Sequence, residues 1–143
     1  MPLPELTVGL IVRYEYLWAR RAGNADTAEK DHPACVVMTY RIDDRPEDFV
    51  IYLPISHTPP RDGEEGIELP DAVKTRAGLD HGRQWILISE CNIDTWAQDV
   101  RHIPGRSGRY HYGHLPPSFF KKIRDGFIQR HAARKVAAVR RSD

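Results

Sequence analysis

The chain has 143 residues, of which 41% are hydrophobic and 29% are charged, and its net charge at pH 7 is +1. This composition is typical of a soluble globular domain with its own core, and it excludes the disordered and fibrous classes. The length of the chain predicts one domain over residues 1–143. No apolar run approaches the 18 residues of a membrane span, so we expect no membrane partner.

Most of the chain predicts β-structure. Its strand-like runs are rich in β-branched and aromatic residues and are separated by polar or glycine- and proline-containing turns. In chain order the sequence predicts strands over residues 8–18, 34–42, 48–56, 67–70 and 84–91, and a helical segment over 71–77. The turn between the second and third strands contains Asp44 and Pro46, so these strands should form a hairpin.

The last third of the chain predicts a loop and then a helix. Residues 101–114 carry three glycines and predict the loop. The helix should begin near 116 and run to about 139, because aromatic and aliphatic residues recur there at three- and four-residue spacing. The strands and this helix predict a mostly β fold, a small antiparallel barrel over about 7–115 with the helix packed on it.

Cysteine usage and charge distribution suggest a compartment and a type of partner. Cys35 and Cys91 lie in apolar strand-like runs, and the first residues show no basic-then-apolar signal pattern. We therefore expect buried reduced thiols in a cytoplasmic protein. Eight basic and two acidic residues give 116–143 a net charge of +6, against −5 for 1–115. This asymmetry indicates a polyanionic or acidic protein partner, or a basic helix face in solvent.

Polar residues able to do chemistry lie at the ends of two predicted strands. His32 precedes the second strand, and Ser56, His57 and Thr58 follow the third. The hairpin should bring these two ends into one groove. Imidazoles transfer protons near neutral pH and hydroxyls donate to phosphate oxygens, so the groove is suited to a phosphodiester. An ordinary turn and loop would account for the same residues.

Other side chains could support such a site. Arg13 could make a charge-assisted contact with phosphate. Trp18, Tyr14 and Tyr16 could stack on unpaired bases or pack in the core. Three further histidines flank the glycine-containing loop at spacings that match no zinc signature: His102, His111 and His114. The sequence therefore predicts neither a metal site nor a cofactor.

Five short motifs follow one another between residues 8 and 130. They are Gly9–Val12 in the first strand, His32–Val37 at the second, Pro54–Ser56 at the end of the third, Ser89–Asp94, and Gly113–Leu115 before the terminal helix. In this order they resemble the MazF/PemK (Kid) family of toxins from toxin–antitoxin systems.

This resemblance implies an SH3-like barrel of the MazF/CcdB kind that forms a homodimer and pairs with an antitoxin protein. It also implies an endoribonuclease that cleaves single-stranded RNA without a metal ion. The family's catalytic arginine and threonine correspond to His32 and Ser56. The positions expected to bind substrate are Arg13, His57, Thr58, Glu90 and Asn92.

The chain departs from the family's motifs at the site. Histidine at position 32 replaces a permanent cation with a group that titrates near neutrality. Serine at position 56 keeps the hydroxyl, whereas Asn92 stands where the family often has arginine. Two hypotheses follow, an endoribonuclease toxin or a nuclease-inactive barrel that binds nucleic acid or a protein partner. A purely structural protein is the third possibility.

Overall fold

The computed structural model describes residues 3–21, 31–106 and 108–141. Eight β-strands and two α-helices lie in this part of the chain. The strands are β1 (Leu10–Tyr14), β2 (His32–Arg41), β3 (Asp48–Ser56), β4 (Gly66–Glu68), β5 (Trp85–Leu87), β6 (Glu90–Thr95), β7 (His111–His114) and β8 (Ala137–Arg140). The helices are α1 (Asp71–Ala77) and α2 (Pro117–Ala132), and one 3-10 turn covers Ala19–Arg21.

The strands form one sheet in the order β4-β5-β3-β2-β1-β7, with β6 also paired to β3 and β8 paired to β6. Every pairing is antiparallel except that of β6 with β8. The predicted mostly antiparallel β fold with a C-terminal helix is therefore confirmed. Among the described residues β4 and β7 do not pair with each other, so the sheet is not closed into a barrel.

The predicted hairpin of β2 and β3 is the centre of the sheet. Its register runs from Arg41 opposite Asp48, beside the turn, to Ala34 opposite Pro54 at the far end. The turn contains Asp44 at a φ of 69°, a left-handed conformation that aspartate adopts more readily than most residues. This hairpin brings the start of β2 next to the end of β3.

The core consists of two hydrophobic clusters. In one, Ile11 and Leu53 from the sheet pack with residues of α1 and α2. In the other, the rings of Tyr14 and Tyr52 stack with centroids 3.9 Å apart, and Tyr16 packs beside them. Because Tyr14 and Tyr16 have no exposed surface, they belong to the core and do not form a stacking platform for bases.

Both cysteines behave as the sequence predicts. Cys35 and Cys91 are buried and free, and their side chains pack in the cluster that the helices cover. Burial raises the pKa of each thiol to about 12, so both remain protonated and unreactive near neutral pH.

The second helix is shorter than predicted. It begins at Pro117, but it ends at Ala132 and not near 139. Arg134 has a φ of 58°, which interrupts a right-handed helix. The chain then extends and β8 pairs with β6. Alanine and valine beyond position 135 continue the helical composition, so only the tertiary pairing distinguishes the two outcomes.

Two further predictions were wrong in detail. The run over 84–91 is divided between β5 and β6, and at the break the Ser89 hydroxyl accepts a hydrogen bond from the Glu65 N–H at 2.9 Å. The segment 101–114, predicted as loop, contains β7, which pairs with β1. The sheet therefore gains an edge strand that carries few apolar residues.

The first strand and the first helix bear on the site directly. β1 ends at Tyr14 and not at residue 18, since 15–18 leave the sheet. α1 covers the predicted residues and is capped by Gly78, whose φ of 76° closes the helix as glycine commonly does.

Among the described residues no helix is both long and apolar enough to span a membrane.

Candidate functional site

A cavity of about 170 Å³ lies where β2 begins and β3 ends. All four polar residues predicted at these strand ends line it. Its wall includes His32, Ser56, His57 and Thr58, with the cationic side chains of Arg20 and Arg61. We call this cavity the histidine pocket.

The register of the central hairpin explains why these residues meet. Ala34 lies opposite Pro54 in the last paired position. Continuing this antiparallel register by two residues sets His32 level with Ser56. His32 also pairs with Tyr14 of β1, so its backbone is held on the β1 side. The position of His32 is therefore determined by the sheet.

His57 is exposed and bound by a carboxylate that sequence analysis did not select. Its Nε2 lies 3.2 and 3.1 Å from the two carboxylate oxygens of Asp80. The Gly82 N–H donates to Asp80 Oδ1 at 2.9 Å, and the buried Gln84 amide donates to the same oxygen at 3.2 Å. Desolvation alone would raise the pKa of Asp80, but hydrogen bonds from His57 and Gly82 hold it below its usual value. An ionised Asp80 thus orients the imidazole.

A buried lysine supports the loop that carries Asp80. Lys74 is only 3% exposed. Its Nζ donates to the carbonyls of His81 at 3.3 Å and Gly82 at 2.9 Å, and it pairs with Asp71 at 3.1 Å. These contacts satisfy an ammonium group that would otherwise be costly to bury. The loop is therefore anchored directly beside Asp80.

The hydroxyl of Ser56 forms a turn directly after β3. It accepts a hydrogen bond from the Thr58 N–H at 2.9 Å and donates to the Thr58 carbonyl at 2.9 Å. Serine commonly stabilises turns in this way. Ser56 therefore positions His57, and it would contact a phosphate only by exchanging the Thr58 carbonyl for a phosphate oxygen.

Arg13 lies in a second cavity, of about 580 Å³, which shares His32 and His57 with the histidine pocket. We call it the arginine pocket. The Arg13 Nε donates to Asp31 at 2.9 Å and its Nη1 donates to the Tyr112 hydroxyl at 3.1 Å. Desolvation opposes the charge on Arg13, but these contacts raise its pKa overall and hold the pKa of Asp31 below its usual value. Both side chains are charged near neutral pH.

Glu90 and Asn92, predicted to bind substrate, are buried and line neither cavity. The carboxylate of Glu90 accepts from the Tyr16 hydroxyl at 3.1 Å and from the Ala19 N–H at 3.0 Å. The Asn92 amide accepts from the Leu17 N–H at 2.9 Å and donates to its carbonyl at 2.8 Å. These two side chains therefore tether the segment that follows β1.

That tether places an aromatic and a cationic side chain at the histidine pocket. Trp18 is 5% exposed and its ring lies edge-on to His32, with centroids 5.8 Å apart. The guanidinium carbon of Arg20 lies 5.0 Å from the Trp18 ring centroid. Trp18 thus supports His32 from the protein side, and Arg20 extends the cationic rim.

The remaining predicted histidines lie outside both cavities. The ring of His102 packs against Tyr110 with centroids 4.4 Å apart, and His114 lies 2.8 Å from the Thr7 hydroxyl. His111 shares β7 with His114. In the described ranges no three His, Cys, Asp or Glu side chains are arranged to hold a metal ion.

Comparisons with protein-family models, with curated proteins and with solved structures give no match to this chain. Sequence reasoning missed Asp80, Lys74, Arg20 and Arg61. The local signal for Asp80 and Lys74 is a short helix capped by Gly78 and followed by a polar turn.

Proposed function

We propose that this protein is a metal-independent endoribonuclease that acts on single-stranded RNA. The observation that carries the proposal is that His32 and the Asp80-bound His57 line one cavity with two arginines, Arg20 and Arg61. Two imidazoles can supply both proton transfers of the reaction, and guanidinium groups suit the charge of a phosphodiester.

The chemistry requires a base, an acid and donors for the developing negative charge. The base takes the proton of the 2′-hydroxyl, and the 2′-oxygen forms a bond to phosphorus. The bond from phosphorus to the 5′-oxygen breaks, and the acid gives its proton to that leaving oxygen. His32 and His57 take these two roles, and the products are a 2′,3′-cyclic phosphate and a 5′-hydroxyl.

The supporting roles follow from the contacts of the described residues. Asp80 orients His57, since both of its oxygens lie within 3.2 Å of Nε2. Arg20 and Arg61 neutralise the phosphate, and the Thr58 hydroxyl donates to a phosphate oxygen. Ser56 holds the turn that presents His57.

The wider assignment follows the family resemblance. In this proposal the protein is the growth-inhibiting toxin of a toxin–antitoxin pair, a cytoplasmic homodimer with an SH3-like fold whose sheet is open. An antitoxin with an acidic segment would complement the basic residues of 116–143. A neighbouring gene for a small acidic protein would support this part of the proposal.

One observation favours the second candidate, a nuclease-inactive barrel that binds nucleic acid. Both hydrogen-bonding roles of the Ser56 hydroxyl are used within its own turn. The Ser56 hydroxyl, at the family's catalytic position, is thus engaged in hydrogen bonds that hold its own turn. Arginines at both cavities, which also contain Glu64, Asp31 and Asp80, would still bind a polyanion without cleaving it.

The test is incubation of purified protein with single-stranded RNA of mixed sequence in the presence of a chelator. We expect fragments that end in 2′,3′-cyclic phosphate, and growth arrest with fragmented RNA when the chain is expressed in a bacterium. His32→Ala and His57→Ala should each reduce the rate by about 10²–10⁴-fold. His131→Ala is the matched control, because His131 is exposed and lines neither of these cavities.

The outcomes separate the two candidates. Binding of RNA without any chelator-resistant cleavage would reject the nuclease and favour the binding protein. Cleavage that persists at full rate in both histidine variants would indicate a contaminating nuclease and reject the site.

A further inference from the structure

The arginine pocket is a cavity that the catalytic proposal does not use, although it begins at the same two histidines. It is lined by His32 and His57 at one end and by Arg13, Tyr112 and the partly apolar loop at Ile103 elsewhere. Its volume of about 580 Å³ is within the range of pockets that hold small organic ligands. The histidine pocket, at about 170 Å³, is much smaller.

Arg13 is held in one orientation inside this pocket. Asp31 fixes its Nε–H and the Tyr112 hydroxyl accepts from Nη1. The side chain is only 19% exposed, so little freedom remains. Its Nη2 makes no hydrogen bond to any described residue. Three N–H groups therefore remain, one on Nη1 and two on Nη2, so the two terminal nitrogens can donate side by side.

A pair of parallel N–H donors recognises two adjacent acceptors in one plane. Among RNA bases, guanine presents such a pair at O6 and N7, and cytosine presents one at O2 and N3. Adenine and uracil place a donor beside each ring or carbonyl acceptor on the same edges. A fixed arginine thus separates the four bases into two classes.

The geometry points to the arginine pocket as a nucleobase subsite that selects guanine or cytosine. This inference deepens the proposed endoribonuclease, on which it rests, by naming the base next to the scissile phosphate. The phosphate lies between His32 and His57, and the base enters the arginine pocket. There the ring of Tyr112 and the side chain of Ile103 provide apolar contact, and Arg13 reads the acceptor edge.

The test uses the full chain and the four nucleoside 3′-monophosphates, with inorganic phosphate as the probe for phosphate alone. Affinities are measured by calorimetry in the presence of a chelator. The guanosine or the cytidine nucleotide, or both, should bind at least about tenfold more tightly than the adenosine and uridine nucleotides. The guanosine and cytidine nucleotides are tested separately, so the experiment also shows whether Arg13 recognises O6 and N7 of guanine or O2 and N3 of cytosine.

Variants isolate the arginine. Arg13→Lys keeps the charge but removes the paired donors, and should abolish the discrimination while leaving phosphate-driven binding. Tyr112→Phe removes one contact that holds Arg13 and should weaken the discrimination, which keeps the test valid if Arg13→Lys fails to fold. Arg124→Lys is the matched control, since Arg124 lies on α2 and pairs with Asp125.

The outcomes distinguish this inference from the proposed function. Equal affinities for all four nucleotides, or no binding of any, would overturn the subsite even if RNA is cleaved. Discrimination that survives Arg13→Lys would overturn the role of Arg13. Discrimination that Arg13→Lys removes, in a protein that cleaves no RNA, would support the subsite and reject the nuclease.

Discussion

His32 and His57 occupy different surroundings within one pocket. His32 is half-buried at the start of β2, beside the Trp18 ring. His57 is exposed on a turn, with both oxygens of Asp80 at its Nε2. Two imidazoles in different environments are suited to different proton-transfer roles.

Substitution of His32 tests whether position 32 transfers a proton or only supplies charge. His32→Ala should lower the RNA cleavage rate by about 10²–10⁴-fold. His32→Arg restores the residue of the resembled family, and we expect it to be as inactive as His32→Ala, because a guanidinium cannot give or take a proton near neutral pH. Cleavage by His32→Arg at the wild-type rate would assign an electrostatic role to this position.

Asp99 should destabilise the fold at neutral pH. Desolvation and the neighbouring Asp94 raise the pKa of Asp99 to about 6, although Arg141 and Arg101 act in the opposite direction. A carboxyl group whose pKa is raised on folding favours the folded state only while it is protonated there. The protein is therefore fully stable with respect to this group below about pH 4, the pKa of the unfolded group, and loses that stability as the pH rises to about 6.

We therefore predict that Asp99→Asn raises the free energy of unfolding at pH 7.5 by about 1–3 kcal/mol. The gain should vanish near pH 4 in urea denaturation. Asp99 has a φ of 68°, which asparagine also tolerates. Asp44→Asn is the matched control, because Asp44 has a φ of 69° but is exposed. A gain of equal size in both variants would assign the effect to backbone conformation.

At the scale of elements, the segment after β1 is the link between the core and the histidine pocket. It leaves the sheet after Tyr14, and it places the Trp18 ring against the ring of His32. Side chains of β6 hold its backbone at Leu17 and Ala19. At Glu15 the N–H donates to the Asp99 carbonyl, and the carbonyl accepts from the Arg141 guanidinium. Glu90 and Asn92, which the sequence assigned to substrate contact, thus position the segment that carries Trp18.

Asn92→Ala should therefore affect both stability and the site. It removes the two hydrogen bonds to Leu17 and a longer one from Arg141 at 3.5 Å, and the Leu17 N–H and carbonyl lose these partners. The cost should be about 2–4 kcal/mol in the free energy of unfolding. RNA cleavage should fall at temperatures where the variant remains folded, because Trp18 and Arg20 lose their support. Gln98→Ala, at an exposed position, should change neither quantity. An Asn92→Ala protein with wild-type stability would contradict the tether.

Local patterns predicted the elements whose contacts are close in sequence. β-branched runs and the Asp44 turn defined the central hairpin, and the hairpin alone brought His32 level with Ser56. Gly78 marked the end of α1. The remaining features depend on contacts between distant segments. Asp80 meets His57 across 23 residues, and β8 becomes a strand only because β6 offers it a free edge.

At the scale of the whole molecule, the basic C-terminal region is partly neutralised by acids from elsewhere. Arg130 pairs with Glu65 at 2.7 Å, and Arg141 lies 3.6 Å from Asp99. Other cations of this region remain exposed, including Lys122 in α2 and Lys135 in the segment after it. The net positive charge of residues 116–143 is therefore spread along α2, over the segment after it and onto β8.

The open sheet leads to the last prediction, a homodimer. Among the strands that the structure describes, β8 pairs only with β6, so its other side presents backbone groups that none of these strands pairs. Such edges are commonly covered by symmetric pairing between two copies. Sedimentation at micromolar concentration should give about twice the chain mass of 16.4 kDa. The Ala137 N–H donates to the Ser89 carbonyl within the same chain, so the N–H of Ala138 points to the free edge of β8. Ala138→Pro removes only that outward N–H, and should therefore weaken the dimer and leave the fold intact. A protein that stays monomeric at these concentrations would argue against the dimer, whereas an Ala138→Pro protein that remains dimeric would move the interface to another sheet edge.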